Sequence, residues 1–534
     1  VTGSVQPSAA APRGSLLPGV PRLPADLTGL NVRDFLEETA GRVPDRIFVL
    51  TRQRSLTYGE FNNAVNRAAS TWQNLGVAKE DRVGFVMGNG IEFLVAWLAL
   101  AKLGAVLVAV NPRFTTTEVR TALEVAGVGL VLIDDHLEPP KVEQSTRRIW
   151  TVSDFVRLTA SASDEFNRPV LSAYDVVSLI FTSGTTGRPK AVMQTHGNWV
   201  LTGQAFPWWL GLDKGSRFYC CLPLFHANAQ AYSTMGAIAN EGTLVLVERF
   251  SASRFWEDVT RYEVDAINYI GAMMSVLMAQ EPSPRERDHG VKIGFGAPRF
   301  PEPQLREIED RFGFPLIAGH GMSETTFGLI ESIGDRRAGS IGTPRLHPDP
   351  RLTNQVRVVD ENGDEVHAGE VGELLYRNPM LMRGYFGDVE ATAEAIRDGW
   401  LHTGDYVSHD ADGYFTFVDR KKDVVRRRGE NVSSLEVELT VMAHPSVAEA
   451  AVVGVAAEMT DEELFVFVVP RPGVTCEPVE IVRWCAERLA AYKVPRYVLL
   501  IQSLPRTPTQ KIEKRSLRNE LADREAAFDS ERGH

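Results

Sequence analysis

The chain has 534 residues, too many for a single hydrophobic core, so at least two domains are expected. Its net charge of −12 argues against a general nucleic-acid binder or a basic membrane-surface protein. Four cysteines, two of them adjacent (Cys220, Cys221), make neither a disulfide framework nor, without Cys-x-x-Cys or His-Glu-x-x-His spacing, a metal site; a reducing, cytoplasmic setting is expected.

Residues 1–24 are rich in Pro, Ala, Ser and Gly and lack a long apolar core, and they read as a flexible tail rather than a signal peptide. A short amphipathic helix follows over 32–40. A longer one is predicted over 58–75, capped by Thr57 and stopped by Gly76. The apolar stretch 93–110, interrupted by Lys102 and Gly104, reads as a buried helix running into a strand, not a membrane span. With strands at 82–87 and 130–133, the alternation indicates an α/β domain with largely parallel sheets. Residues 134–173 show little periodicity and are expected to be surface connection.

The strand at 175–181 runs into Thr182-Ser183-Gly184-Thr185-Thr186-Gly187-Arg188-Pro189-Lys190. Gly184 and Gly187 free the backbone to turn and present N–H groups in a row, while Thr182, Ser183, Thr185 and Thr186 add hydroxyls and Lys190 a charge. This is the composition of a phosphate-binding loop, although no glycine precedes a Lys-Ser or Lys-Thr pair as in a Walker loop. Helices at 197–210, 231–240, 255–262, 273–279 and 304–312 and strands at 217–221 and 243–247 continue the alternation, with an exposed loop at 282–290. From Gly339 the texture turns to short strands at 355–359 and 373–377, a β-rich subdomain. A basic run (Arg420, Lys421, Lys422, Arg426, Arg427, Arg428) marks a boundary, giving a large domain over 25–420 and a small α+β domain over 421–534. No Ser-His-Asp arrangement is supported, because Thr325 stands where a nucleophile elbow needs its second glycine.

Further stretches complete a pattern with the loop: His320-Gly321-Met322-Ser323-Glu324-Thr325, Gly372-Glu373-Leu374, Trp400-Leu401-His402-Thr403-Gly404-Asp405, Asp419-Arg420-Lys421-Lys422-Asp423 and Pro508-Thr509-Gln510-Lys511-Ile512. Together they resemble the adenylate-forming superfamily of acyl-CoA synthetases, peptide adenylation domains and beetle luciferases. The resemblance implies activation of a carboxylic acid with ATP to an acyl-adenylate, then transfer of the acyl group to a thiol, with ATP, Mg²⁺ and CoA as partners. It places Lys190 and the loop on the β- and γ-phosphates, Glu324 and Thr182 on Mg²⁺, and Asp405 and Arg420 on the ribose side. Gly296-Ala297-Pro298 and Gly319, His320, Gly321, Met322 and Ser323 would lie along the adenine. Lys511 would reach the α-phosphate, and a hinge at Lys422 would swing the small domain between the two half-reactions.

Four positions depart from the usual pattern: Ala191, His320, Ser323 and Gln510. At the acyl side the resemblance points to His226, as a catalytic-side residue, with Ala227, Asn228, Ala229, Gly271 and Ala272; the small residues leave room for a bulky or branched acid. The absence of an aspartate there disfavours an α-amino acid. Arg249, Arg426, Arg428 and Gly429 are the candidate CoA contacts. At branch level the chain is most similar to carnitine- or crotonobetaine-CoA ligases and their natural-product relatives. The alternatives are an acyl-AMP ligase that loads a carrier protein and a non-catalytic AMP-binding protein; a monomer or homodimer is expected.

Overall fold

A computed structural model describes residues 17–139, 148–182, 189–297, 299–427, 430–457, 462–506 and 512–532. The chain divides into two compact units, Val1–Val356 with Leu375–His402, and Arg357–Leu374 with Thr403–His534.

The first unit is built on two sheets. Its strands in chain order are β1 (Ile47–Leu50), β2 (Ser55–Thr57), β3 (Arg82–Val86), β4 (Val106–Val110), β5 (Leu130–Ile133), β6 (Arg148–Thr151), β7 (Val176–Thr182) and β8 (Lys190–Thr195). They continue as β9 (Arg217–Cys220), β10 (Thr243–Leu246), β11 (Ala266–Ile270), β12 (Ile293–Ala297), β13 (Leu316–Met322), β14 (Thr325–Ile330) and β15 (Thr343–Pro344). One sheet has the order β6-β5-β3-β4-β7-β8 and is parallel up to β7, which turns back antiparallel onto β8. The other runs β15-β14-β13-β12-β11-β9-β10-β1-β2, parallel through its centre and antiparallel at both ends. This is the expected α/β architecture.

Local chemistry explains the elements. Helix α1 (Tyr58–Asn74) starts at a full capping box, in which Thr57 accepts from the Glu60 N–H and the Glu60 carboxylate accepts in return from the Thr57 N–H. Helix α2 (Ile91–Leu103) is apolar on nearly every face, and it is buried accordingly. Its first turn carries Glu92 and its last turn the fully buried Lys102, which donates to Glu37 at 2.7 Å and to Asn62 and Asn66 at 2.6 Å each. Burial still pulls the ammonium down to about 8.

Three expectations are corrected. Residues 134–173 are not all connection: they hold β6 and the helix Val152–Ala160, whose single buried apolar residue, Phe155, gave too weak a period to be read. The loop at 282–290 contains a one-turn helix, Pro284–Glu286, and Glu286 is buried because Arg311 reaches it at 2.8 Å. The tail gives way to packed chain before Pro24: Leu23 is buried in the main core, and its N–H donates to the Tyr174 hydroxyl.

The second unit holds β16 (Trp400–His409, along which the chain enters it), β17 (Phe415–Arg420), and a sheet of β18 (Val447–Ala456), β19 (Glu462–Pro470), β20 (Tyr497–Leu500) and β21 (Phe528–Asp529), paired in that order. Helix α3 (Ser434–Met442) packs Val437 and Val441 against Val452 and Val466 of that sheet.

Candidate active site

Strands β7 and β8 form a hairpin whose last pair is Thr182 opposite Lys190. The apolar run of β7 ends there, so the hairpin carries the loop hydroxyl and the loop lysine side by side at its mouth. Ser183, Gly184, Thr185, Thr186, Gly187 and Arg188, between them, lie outside the described residues, as do Pro298, Arg428, Gly429, Gln510 and Lys511.

A segment that sequence reasoning passed over docks on this hairpin. Arg383, Gly384 and Phe386 exchange backbone hydrogen bonds with Ala191 and Met193 of β8 at 2.8–3.0 Å, adding a further extended stretch. Gly384 sits at φ +119°, which favours glycine, and it aims the next side chain inward. That side chain is Tyr385. Its ring lies 4.8 Å from the Lys190 ammonium, and its hydroxyl donates to Glu324 Oε1 at 2.8 Å. Glu324 is 6% exposed and is tied again through its carbonyl, which accepts from the Met382 N–H at 2.7 Å. Burial first, and then the Glu324 charge, push the tyrosine well above its ordinary value, so it remains a donor. The structure thus brings Thr182, Lys190 and Glu324 to one place, with Tyr385 joining cation to carboxylate.

Behind this cluster a buried amide chain fixes the turn before Glu324. Gln194 on β8 donates to the Ser323 carbonyl and accepts from Asn198 at 2.6 Å, and Asn198 also donates to the Leu381 carbonyl at 3.3 Å.

Gly296 and Ala297 end β12, and Gly319 to Met322 end β13 beside it. At Gly296 a Cβ would stand 2.3 Å from the Tyr269 carbonyl, so the neighbouring strand already requires glycine there. His320 is half-buried, its Nδ1 at 2.8 Å from the Tyr376 hydroxyl. His226 is half-buried, its ring 4.6 Å from Phe225. Ala227 precedes Asn228–Thr234, which winds as a π-helix rather than the α-helix expected from 231. Asn228 accepts from Asn268 at 2.8 Å, and Ala229 is buried. Gly271 begins the helix Gly271–Met278 with Ala272 exposed, and Arg249 is exposed.

In the second unit Asp405 on β16 faces Arg420 on β17, in register and 3.5 Å apart. Asp405 is buried; half of the Arg420 side chain is exposed. Gly404, at φ +69°, donates to Glu373 at 3.2 Å and accepts from the Lys421 N–H at 2.9 Å, which fixes the turn. Lys422 and Arg426 are exposed. The basic run is not uniformly solvated, as Arg427 is 4% exposed and paired with Glu463 at 2.6 Å.

Residues 36–386 match the family of AMP-binding enzymes, and residues 436–511 match the AMP-binding enzyme C-terminal domain. The chain belongs to the AMP-binding enzyme family. Among curated AMP-binding enzymes it is similar to the crotonobetaine/carnitine–CoA ligase of Salmonella heidelberg (strain SL476), with 32% identity over 518 residues, 92% of this chain and 99% of that protein. The o-succinylbenzoate CoA synthetase (MenE) of Bacillus subtilis, solved with its acyl-adenylate intermediate OSB-AMP, superposes with a TM-score of 0.82 at 28% identity, covering 92% of this chain and 98% of that one. ATP-bound MatB from Rhodopseudomonas palustris shares the fold, with a TM-score of 0.84 at 24% identity over 92% and 99% of the two chains. This AMP-binding enzyme is an adenylate-forming acyl-CoA ligase. The o-succinylbenzoate CoA synthetase of Bacillus subtilis has also been solved with ATP and magnesium ion.

The side chains fit that ion. Glu324 and Thr182 offer hard oxygens, and Mg²⁺ is characteristically held by one or two protein oxygens with phosphates and water completing the shell. No described helix is long and apolar enough to cross a membrane.

Proposed function

We propose that this ligase activates a bulky or branched non-amino acid, with the following division of labour. The hairpin loop and Lys190 hold the β- and γ-phosphates of ATP, and Glu324 with Thr182 holds Mg²⁺. The ion, when bound, neutralises phosphate charge. Asp405 accepts from the ribose hydroxyls, since a carboxylate offers two acceptor oxygens, and Arg420 reaches the ribose or phosphate side. Attack of the acid's carboxylate on the α-phosphate forms acyl-AMP as the bond to the β-phosphate breaks and pyrophosphate leaves; it crowds negative charge, and positioned cations and N–H donors lower that barrier. Lys511 supplies one such cation during adenylation. His226, with Ala227, Asn228, Ala229, Gly271 and Ala272, borders the acyl group. Rotation about Lys422 then withdraws Lys511, and Arg249, Arg426, Arg428 and Gly429 meet CoA. A cytoplasmic setting and a monomeric or homodimeric state go with this reading.

The observation that carries it is the contact of Glu324, Tyr385 and Lys190 at the mouth of the hairpin. Mass spectrometry of mixtures first without CoA, for acyl-AMP, and then with CoA added, for thioester, tests it. Acyl-AMP accumulates with the wild type and is lost with Lys511→Ala, whereas Lys422→Pro still forms acyl-AMP but no thioester. Unchanged acyl-AMP from Lys511→Ala would overturn the assignment, and thioester formation from Lys422→Pro would overturn the hinge. Transfer to an added carrier protein but not to CoA would favour the carrier-loading alternative.

A further inference from the structure

Arg345, at the start of the stretch after β15, is 1% exposed. Its guanidinium is packed among three aromatic rings, with Trp209, Tyr232 and Phe295 at 4.9, 5.3 and 5.4 Å from its centre. Nε donates to the Leu329 carbonyl at 3.1 Å, and Nη1 donates to the Tyr232 hydroxyl at 2.5 Å and to the Thr326 carbonyl. Tyr232 passes its own proton to the same Thr326 carbonyl at 2.8 Å.

Two things are missing around this group among the described residues. No carboxylate pairs with it, and Nη2 has no acceptor, although a buried guanidinium is costly unless it is paired and its donors are met. Nη2 is aimed at β13, where a Cβ on Gly319 would stand 2.5 Å from it. A Cβ on Gly321 would stand 3.3 Å from the Tyr232 hydroxyl and 3.5 Å from Nη1, and Gly321 is exposed. The guanidinium therefore lies beneath two residues without side chains, one of them open to solvent. Tyr232 belongs to the same π-helix, Asn228–Thr234, as the acyl-side residues Asn228 and Ala229. If packing alone were the role, an apolar side chain of similar volume would fill the aromatic box without the charge.

We propose that Arg345 is a specificity-determining residue at the far end of the acyl site, and that the acid this enzyme activates carries a second carboxylate, which Nη2 receives. The second carboxylate provides the counter-charge the guanidinium lacks, and a planar fork suits its two oxygens. The same charge disfavours an acid with a fixed positive group, because like charges would meet in a low-dielectric site. This inference rests on the adenylation reading above.

The test is acid-dependent exchange of labelled pyrophosphate into ATP, with adipate, hexanoate and carnitine in matched amounts. The wild type is expected to favour adipate over hexanoate in kcat/KM by on the order of 100-fold, with carnitine lowest, because a buried donor left unmet penalises the acid that lacks its partner. Arg345→Met is expected to reverse the adipate-to-hexanoate ratio, and Arg345→Lys to restore part of it. The wild-type ratio stands without the variants, should either fail to fold. Preference of the wild type for hexanoate or carnitine, or an unchanged ratio in a folded Arg345→Met, would overturn the proposal while leaving the adenylation reading intact. No exchange with any acid, including aromatic monoacids and diacids, would instead remove the adenylation reading and this proposal with it.

Discussion

Glu324 keeps a carboxylate at 6% exposure, and the Tyr385 hydroxyl on Oε1 orients it. Orienting partners of this kind typically tune metal affinity by about 10- to 100-fold. Tyr385→Phe removes the hydroxyl and keeps the ring over Lys190. A Mg²⁺ titration of pyrophosphate exchange is therefore expected to show half-saturation raised by about tenfold or more, with the thermal midpoint little changed. An unchanged Mg²⁺ requirement would show that Tyr385 is only packing. The two residues differ in how far the sequence revealed them. Glu324 was legible because it sits inside a contiguous motif. Tyr385 and Arg345 were not, since each acts through side chains that are distant in sequence and brought near only by tertiary packing.

Elements were legible where the apolar period was strong and the caps were explicit, as in α1 with Thr57 and Glu60. They were missed where polar residues point into the protein. Strand β8 reads Lys-Ala-Val-Met-Gln-Thr, and its Gln194 is buried among amides, which hides the strand pattern. Two predictions belong to this scale. At Gly203, on the helix His196–Trp209, a Cβ would stand 2.6 Å from that of Met235, with backbone of the same residue 2.8 Å away. Gly203→Ala is expected to cost about 1–3 kcal/mol by overpacking, measured as a lowered denaturant midpoint. Asp419 accepts from the Ser434 hydroxyl at 2.8 Å and from the Leu435 N–H at 3.2 Å at the start of α3. Asp419→Ala is expected to cost roughly 1–2 kcal/mol, read as weaker amide-exchange protection over 434–442.

At the scale of the whole molecule, burial sets the alkaline limit. Burial pushes the thiols of Cys220 and Cys485 up to about 12, and it raises the buried tyrosines 58, 219, 269 and 385 as well. Unfolded, a thiol ionises near 9, so between that value and about 12 the folded state binds more protons than the unfolded one. Stability therefore falls as pH rises through this window. Lys102, held down to about 8, works the other way between there and the ordinary lysine range, but it is one group against several. Denaturant midpoints at pH 7, 9 and 10.5 check the sign: a steady decline above 9 is expected, and a rise would contradict it. The α/β class, the small C-terminal domain and the ligase chemistry were all legible in the sequence, because the alternation of elements and the motifs that carry the resemblance are each local in the chain. Which acid fits was not, because the candidate acyl-side residues at 226–229 and 271–272 lie far apart in sequence.

The central claim is that one chain couples an acid to ATP and then to CoA. The most direct measurement follows labelled pyrophosphate into ATP with acids supplied singly, and then follows thioester after CoA is added. The account predicts acid-dependent, Mg²⁺-dependent return of label that Glu324→Gln abolishes, with thioester appearing only on addition of CoA. Label returning without acid, or no return with any acid while Glu324→Gln behaves as the wild type, would contradict it.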